Sequence, residues 1–339
     1  MLKLTVGLTR EPRLEPLIDG TVKAQNMELE FVFSSPGEVH YRNLKYNEFD
    51  VFQMSISEFL MVKERGGKWR WSGLPIFLSK AFLWLNLYAN VQSGIGGLAD
   101  LKGKRVGIQD YPMTAALWMR IFLKEFHGVQ PQDITWFNGR TKEFSHGVVF
   151  DLDNKPPPGV TIHWLNNEQT LDVMLDKGEL DAAYGVLPRH MNDFGKIDRH
   201  GGTPIAGNPR VRKLFPDGGR KIITDYYERT GVLPSNHMYV VQTDILEKAP
   251  WVAIELFKAF QRSKEISYER ARHANSAYML FDGRAFQDQA EKFGEDPYPL
   301  GVKQNRKMLE ILFRGSYEDG LTRNLAKVED IFYPTTLDT

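Results

Sequence analysis

The sequence predicts an α/β protein of two lobes, each a doubly wound sheet flanked by helices. Three observations predict it. Strand and helix patterns alternate in two successive runs, the text changes character between them near residue 98, and 339 residues exceed what a single core usually serves.

The first run begins almost at once. Residues 2–8 form a short apolar strand that ends in the polar turn TREPRLEP. Residues 14–25 carry helical spacing, and MELEFVF (27–33) alternates apolar and charged residues with the period of a strand. Residues 38–47 read as a second helix, and EFDVFQMS (48–55) as a strand running into Ser55 and Ser57. Sheets of this kind bind ligands at the carboxyl ends of their strands. LPIFLSK (74–80) and LWLNLYAN (83–90) are both strand-like.

The second run opens on LADLKGKRVGI, a turn of helix, a glycine bend and a strand at 105–108. A helix follows, with Thr114 near its start and Gly128 closing it. DITWF (133–137) is the next strand. DLDNKPPPG is a surface loop, because its prolines fit neither a helix interior nor an inner strand. VTIHWL, the helix NEQTLDVMLDKGE and the strand LDAAYGV complete the run at Pro188. Residues 189–217 are rich in Gly, Pro and charge and read mostly as loop; HMYVVQ (237–242) is a late strand, and from 249 onward the chain is largely helical. No internal repeat or low-complexity segment is evident.

Composition narrows the function. Apolar residues at 42% and charged residues at 25% are ordinary for a globular chain. Lys plus Arg (43) balance Asp plus Glu (43), so no basic excess is present to hold a phosphate backbone, and nucleic acid is not expected as a partner. No apolar run is long enough to span a membrane. The absence of cysteine removes disulfides, thiolate nucleophiles, iron–sulfur clusters and cysteine zinc sites. The first residues lack the apolar stretch and cleavage site of a secretory leader, which predicts a soluble cytoplasmic protein, or a periplasmic one whose leader has been cut away. The histidines (40, 127, 146, 163, 190, 200, 237 and 273) show no HxxH or HExxH spacing, so no metal site is expected. The glycines match neither the Walker nor the dinucleotide pattern, and no cofactor is expected.

Several strings taken in order carry a resemblance: FDVFQMSISEFL, LPIFLSKAFLWLNLYAN, SGIGGLADLKGKRVGIQDYPMTAALWMR, TLDVMLDKGELDAAY, VRKLFPD, DYYERTGVLPSNHMYVV, APWVAIELFKAF and NRKMLEILFRGSYEDGL. Together they resemble the 4,5-dihydroxyphthalate decarboxylase family across nearly the whole chain. DLKGKRVG alone recurs in many solute-binding proteins; its combination with YPMTAALW, LFPD, YYERTG and the His237 string is far more specific. The resemblance implies a fold like that of type II periplasmic binding proteins. LWLNLYAN would be one crossing between lobes and HMYVVQ the return, giving residues 1–91 plus 236–339 as one lobe and 92–235 as the other, with a ligand cleft between them. It also implies cofactor-independent loss of carbon dioxide from a hydroxylated aromatic acid.

Three positions depart from the family pattern. Gln53 stands where the family has a Glu before Met-Ser, Ser79-Lys80 where it has Ser-Arg, and Phe82-Leu83-Trp84 where it has Phe-Arg-His. Lysine does not reproduce the bidentate carboxylate grip of arginine, and an indole does not shuttle a proton. The resemblance therefore carries the fold further than the reaction.

Each candidate residue has a functional and a plain reading. Arg10, after the first strand, fits an anchor for a substrate carboxylate, as the resemblance implies, or a surface ion pair with Glu11 or Glu15. Ser55 and Ser57 offer hydroxyls and amides to an oxyanion, or serve as turn residues; no GxSxG elbow surrounds either, so neither is a nucleophile. Tyr111, Met113 and Thr114 lie at a helix start, where free amides favour an anion, while Thr114 also suits a helix cap. Trp84 is assigned to the substrate cleft. Lys80 is either the cleft cation or a surface lysine. His237 is matched by a histidine of the family and has the pKa range of a general acid.

The enzyme reading takes an electron-rich hydroxybenzoate-type acid as its partner. Arg10, Lys80 and the Thr114 helix start would orient the carboxylate, and His237 would protonate the ring carbon. The competing reading is a non-catalytic solute-binding protein for an aromatic or other small acid, using the same cleft without a proton donor. Either permits a homo-oligomer.

Overall fold

A computed structural model of the chain describes residues 1–186, 196–278 and 284–339. The chain runs through β1 (Leu2–Leu8), α1 (Glu15–Ile18), β2 (Met27–Phe33), α2 (Pro36–Tyr46), β3 (Val51–Ser55), α3 (Ile56–Arg65) and β4 (Trp71–Leu74). It continues as β5 (Leu87–Asn90), β6 (Arg105–Ile108), α4 (Thr114–His127), β7 (Thr135–Asn138), α5 (His146–Val149), β8 (Thr161–Trp164), α6 (Leu171–Asp176), β9 (Ala182–Tyr184) and β10 (Val211–Lys213). After α7 (Arg220–Thr230) and β11 (His237–Gln242) come the helices α8 (Thr243–Lys248), α9 (Trp251–Tyr278), α10 (Arg284–Phe293) and α11 (Val302–Glu318).

Two sheets result. The first has the order β2-β1-β3-β11-β4 and the second β10-β5-β9-β6-β7-β8. In the first, β1 lies parallel to β2 and β3, while β11 returns antiparallel between β3 and β4. In the second, β9, β6, β7 and β8 run parallel. The parallel strands of each sheet end in loops and helix starts, and those ends supply the site.

Local signals explain the helices that frame it. The side chain of Ser35 accepts from Glu38 N–H and Pro36 fills the first turn of α2, whose end is closed by Asn47 in the left-handed region, φ 54°. Helix α3 follows β3 without a spacer: Ser55 is both the last strand residue and the cap that accepts from Glu58 N–H. Helix α4 ends on Gly128 at φ 67°, as expected of a glycine past the last turn. Helix α4 packs on α3 and on α11, α2 meets α5, and α9 lies over α1. The largest apolar cluster runs through both sheets' helices, from Phe59 and Met61 on α3 to Leu117 and Phe122 on α4 and Leu312 on α11.

Several expectations are corrected. Residues 14–25 hold only the single turn α1, because Gly20, at φ 81°, ends the helix early. Residues 75–80 are not a strand: Pro75 follows β4, and Lys80 makes only an isolated bridge to Ser235. Residues 83–90 divide into a 3₁₀ turn, Leu83–Leu85, and β5, which pairs with β9 and β10 in the second sheet. The helix at 167–179 shrinks to α6. Of the stretch read as loop at 189–217, residues 189–195, with His190, lie outside the described residues, and 211–213 form β10. Among the described residues no helix is long and apolar enough to cross a membrane.

Candidate functional site

Three hydroxyls join the end of β3 to the start of α4. Ser55 Oγ lies 2.9 Å from Thr114 Oγ1 and accepts from Thr114 N–H at 3.3 Å; Thr114 Oγ1 accepts from Ser57 N–H at 3.0 Å and lies 3.3 Å from Ser57 Oγ. Ser57 Oγ donates to the Pro112 carbonyl. A carbonyl only accepts, so one donation path satisfies the chain: Ser55 to Thr114, Thr114 to Ser57, Ser57 to Pro112. All three side chains are buried. The helix cap itself is Met113, which makes no side-chain cap bond; the first amide of α4 is answered instead by a hydroxyl from the other sheet.

Histidines gather beside this seam. His237 opens β11 opposite Ser55, and its Nδ1 lies 2.7 Å from Gln53 Nε2. Gln53 Oε1 accepts from Thr9 N–H at 3.1 Å, which fixes the amide so that its NH₂ faces the ring. The His237 ring centre stands 5.0 Å from that of His40, edge to face, and His40 stands 6.0 Å from His146. Glu58, on the first turn of α3, lies between the last two: 3.0 and 3.1 Å from His146 Nδ1 and 3.8 Å from His40 Nδ1.

Below them Asp110, after β6, is fully enclosed. It accepts from Tyr111 N–H, Asn138 Nδ2, Ser145 Oγ and His146 N–H at 3.1, 3.1, 2.9 and 2.6 Å, and Arg140 Nη1 stands at 3.5 Å. Burial pushes the Asp110 carboxyl up and Arg140 opposes it. Donors face both oxygens, which leaves no place for a proton, so Asp110 stands as a carboxylate. Arg140, on the loop after β7, also holds Asp198 at 2.8 Å; burial works against its charge, and Asp198 and Asp110 more than restore it.

The structure brings Ser55, Ser57, Thr114 and His237 to one region. The other candidates lie differently. Arg10 is exposed and grips Glu15 through two bonds of 2.7 and 2.8 Å, the surface pairing that was its plain reading. Lys80 is buried, donates to Asn305 Oδ1 at 2.5 Å, and lies against a cavity of about 380 Å³ between α7 and α11 that none of the other candidates lines. Burial pushes its amine down to about 7, with Asp296 opposing and Lys264 adding to the fall. Tyr111 is a core residue: Arg120 stacks over its ring at 3.8 Å and burial raises its phenol. Met113 packs against the main apolar cluster, and Trp84 is enclosed by Phe82, Phe122 and Phe215. Spacing missed His40, Glu58, His146, Asp110 and Arg140. They sit on separate elements, and only Asp110 and Arg140 carried a local signal, each following a predicted strand.

Two mixed sheets whose strand ends face a common polar seam define the class: a two-lobed protein of the periplasmic-binding-protein fold. The periplasmic aliphatic sulphonate binding protein SsuA of Escherichia coli shares that fold, with a TM-score of 0.56 over 98% of this chain and 92% of that one, at 12% identity. No protein-family model matches the sequence. The chain belongs to the 4,5-dihydroxyphthalate decarboxylase family. It is 33% identical to the Pseudomonas putida protein of that name over 216 residues, 64% of this chain and 78% of the relative. It is 28% identical to the Comamonas testosteroni one over 340 aligned positions, 100% of this chain and 98% of the relative.

Proposed function

We propose that this protein removes carbon dioxide from a hydroxylated aromatic acid of the 4,5-dihydroxyphthalate class. The observation that carries the reading is similarity to a decarboxylase of that name along the entire chain. The chemistry asks little of a protein. A ring hydroxyl para to the scissile carboxylate pushes electron density to the carbon that bears it, and that carbon takes a proton. The carbon–carbon bond then breaks, its electrons restore aromaticity, and carbon dioxide leaves. No redox partner or electron sink is required, so the work is orientation and proton delivery.

Within this reading His237 is the acid. Gln53 leaves the resting ring with its proton on Nε2, so the imidazole must gain a second proton before it can give one up. Ser55, Ser57 and the first amides of α4 would turn to the substrate carboxylate when the lobes part, and Arg10 would exchange Glu15 for it. A cytoplasmic setting and a two-lobe division belong to the same proposal, with the boundary expected after residue 91 moved ahead of β5 (Leu87–Asn90), because β5 pairs with β9 and β10 in the second sheet.

The test is incubation of purified protein with 4,5-dihydroxyphthalate and a panel of hydroxybenzoates, reading carbon dioxide release and thermal shift together. Release from the dihydroxyphthalate supports the proposal. A thermal shift with no release from any acid would overturn it in favour of a solute-binding protein.

A further inference from the structure

His40, Glu58 and His146 come from three elements, α2, α3 and α5, and are 3%, 0% and 0% exposed. One donor atom from each lies within 4.8 Å of the others. The protons of this cluster can be assigned. His146 Nε2 faces the Gly37 carbonyl at 3.1 Å, and a carbonyl only accepts, so that nitrogen carries the ring's proton. Nδ1 then turns a lone pair on the two oxygens of Glu58, 3.0 and 3.1 Å away. Lone pairs that meet at this distance need a cation between them. A proton engages two groups, whereas a metal ion engages all three, including His40 Nδ1 at 3.8 Å from Glu58 Oε2.

We infer that His40, Glu58 and His146 form a binding site for a divalent ion of the zinc class. Two imidazoles and one carboxylate are a donor set such ions take, with a fourth position left for water or another ligand. With metal–ligand bonds of about 2.1 Å, the 3.0 and 3.8 Å separations subtend roughly 90° and 130°, either side of the tetrahedral angle. The Gly37 contact is the outer support that a histidine ligand uses: its second N–H goes to a backbone carbonyl, which fixes tautomer and ring orientation. A Cβ at position 37 would crowd the Arg140–Asp198 pair, at 2.5 Å from Arg140 Nη2 and 2.6 Å from Asp198 Oδ2.

The ion would also act mechanically. Helices α2 and α3 adjoin strands of the first sheet, and α5 lies between β7 and β8 of the second. An ion held by all three ties the two sheets together, so its binding energy becomes closure energy. The inference is independent of the decarboxylase proposal, whose chemistry needs no metal.

Tag-free protein, stripped with a chelator and dialysed, is titrated with Zn²⁺ by calorimetry and with Co²⁺ by visible absorption. The expected result is one ion per chain, ligand-field bands from Co²⁺, and a Tm that climbs as the site fills. His40→Asn and His146→Asn should each weaken binding by about tenfold or more, while His163→Asn, on the exposed face of β8, leaves it unchanged. A variant that fails to fold does not decide the matter, because the wild-type titration does. Absence of saturable one-to-one binding by either ion would mean that only a proton is shared between Glu58 and His146, and would overturn the site. Unchanged affinity in folded His146→Asn would overturn it as well.

Discussion

Gln53 presents its amide nitrogen to Nδ1 of His237 at 2.7 Å, across the β3–β11 pairing in which Tyr239 is the strand partner of Gln53 and Ser55 that of His237. Thr9 N–H, 3.1 Å from Gln53 Oε1, decides which end of the amide points at the ring. An N–H aimed at Nδ1 leaves a lone pair there and the ring proton on Nε2. A carboxylate at this position would do the opposite: it accepts from Nδ1–H and favours the doubly protonated ring.

If His237 is the proton donor, Gln53→Glu should therefore raise the turnover of 4,5-dihydroxyphthalate. The Thr9 bond survives, since a carboxylate oxygen accepts as the amide oxygen did. Ring ¹⁵N shifts of His237 give a second, independent reading. An unchanged tautomer would show that Gln53 does not position the ring.

Thr114→Val keeps the shape of the side chain and removes the hydroxyl. Ser57 N–H and the Ser55 hydroxyl then lose the oxygen they share, in a region without solvent. The expected loss of stability is about 1–3 kcal/mol by denaturant titration. A change within experimental error would mean that other partners answer both groups.

How much of this was legible depended on range. Strand β6 and helix α4 with its closing Gly128 stand where the local pattern put them, because their signals lie within a few residues of one another. Strand β10 was hidden: Val211–Lys213 is a three-residue edge strand that pairs with β5, far back in the chain. The seam was half legible. Ser55, Ser57 and Thr114 were marked by their places at a strand end and a helix start, but nothing local indicated that they bond to each other. His40, Glu58 and His146 were invisible to spacing, because α2, α3 and α5 bring them together only once both sheets are assembled. Arg10 was open in a different way. Its partner Glu15 lies five residues on, so the surface pair was readable, but sequence could not choose it over a ligand.

Lys80 gives a prediction in pH. Its amine falls from 10.5 to about 7 in the folded protein, chiefly through burial. Below pH 7 both states hold the proton and its contribution is flat. Between about 7 and 10.5 the unfolded chain binds more protons than the folded one, so folded stability rises with pH, by at most about 1.4 kcal/mol per pH unit from this group. Lys80→Met, of similar length and uncharged, should be more stable than wild type at pH 6–7, and the advantage should shrink by pH 10. Denaturant midpoints across that range measure it, and an advantage independent of pH would place the charged amine in contact with water.

His237→Asn separates catalysis from binding. Asparagine keeps a hydrogen-bonding side chain of comparable reach, and its amide oxygen can accept from Gln53 Nε2 as Nδ1 did, so the pairing of β11 with β3 should persist. What it lacks is a proton that can be given and recovered near neutral pH. If His237 protonates the ring carbon, affinity for 4,5-dihydroxyphthalate should hold within a few-fold while turnover drops by on the order of a hundredfold or more, the usual worth of general acid catalysis. Equal losses in kcat and in ligand affinity would instead mark His237 as part of the binding surface. Undiminished carbon dioxide release would send the search for the donor to His40, whose ring stands 5.0 Å away in the same cluster.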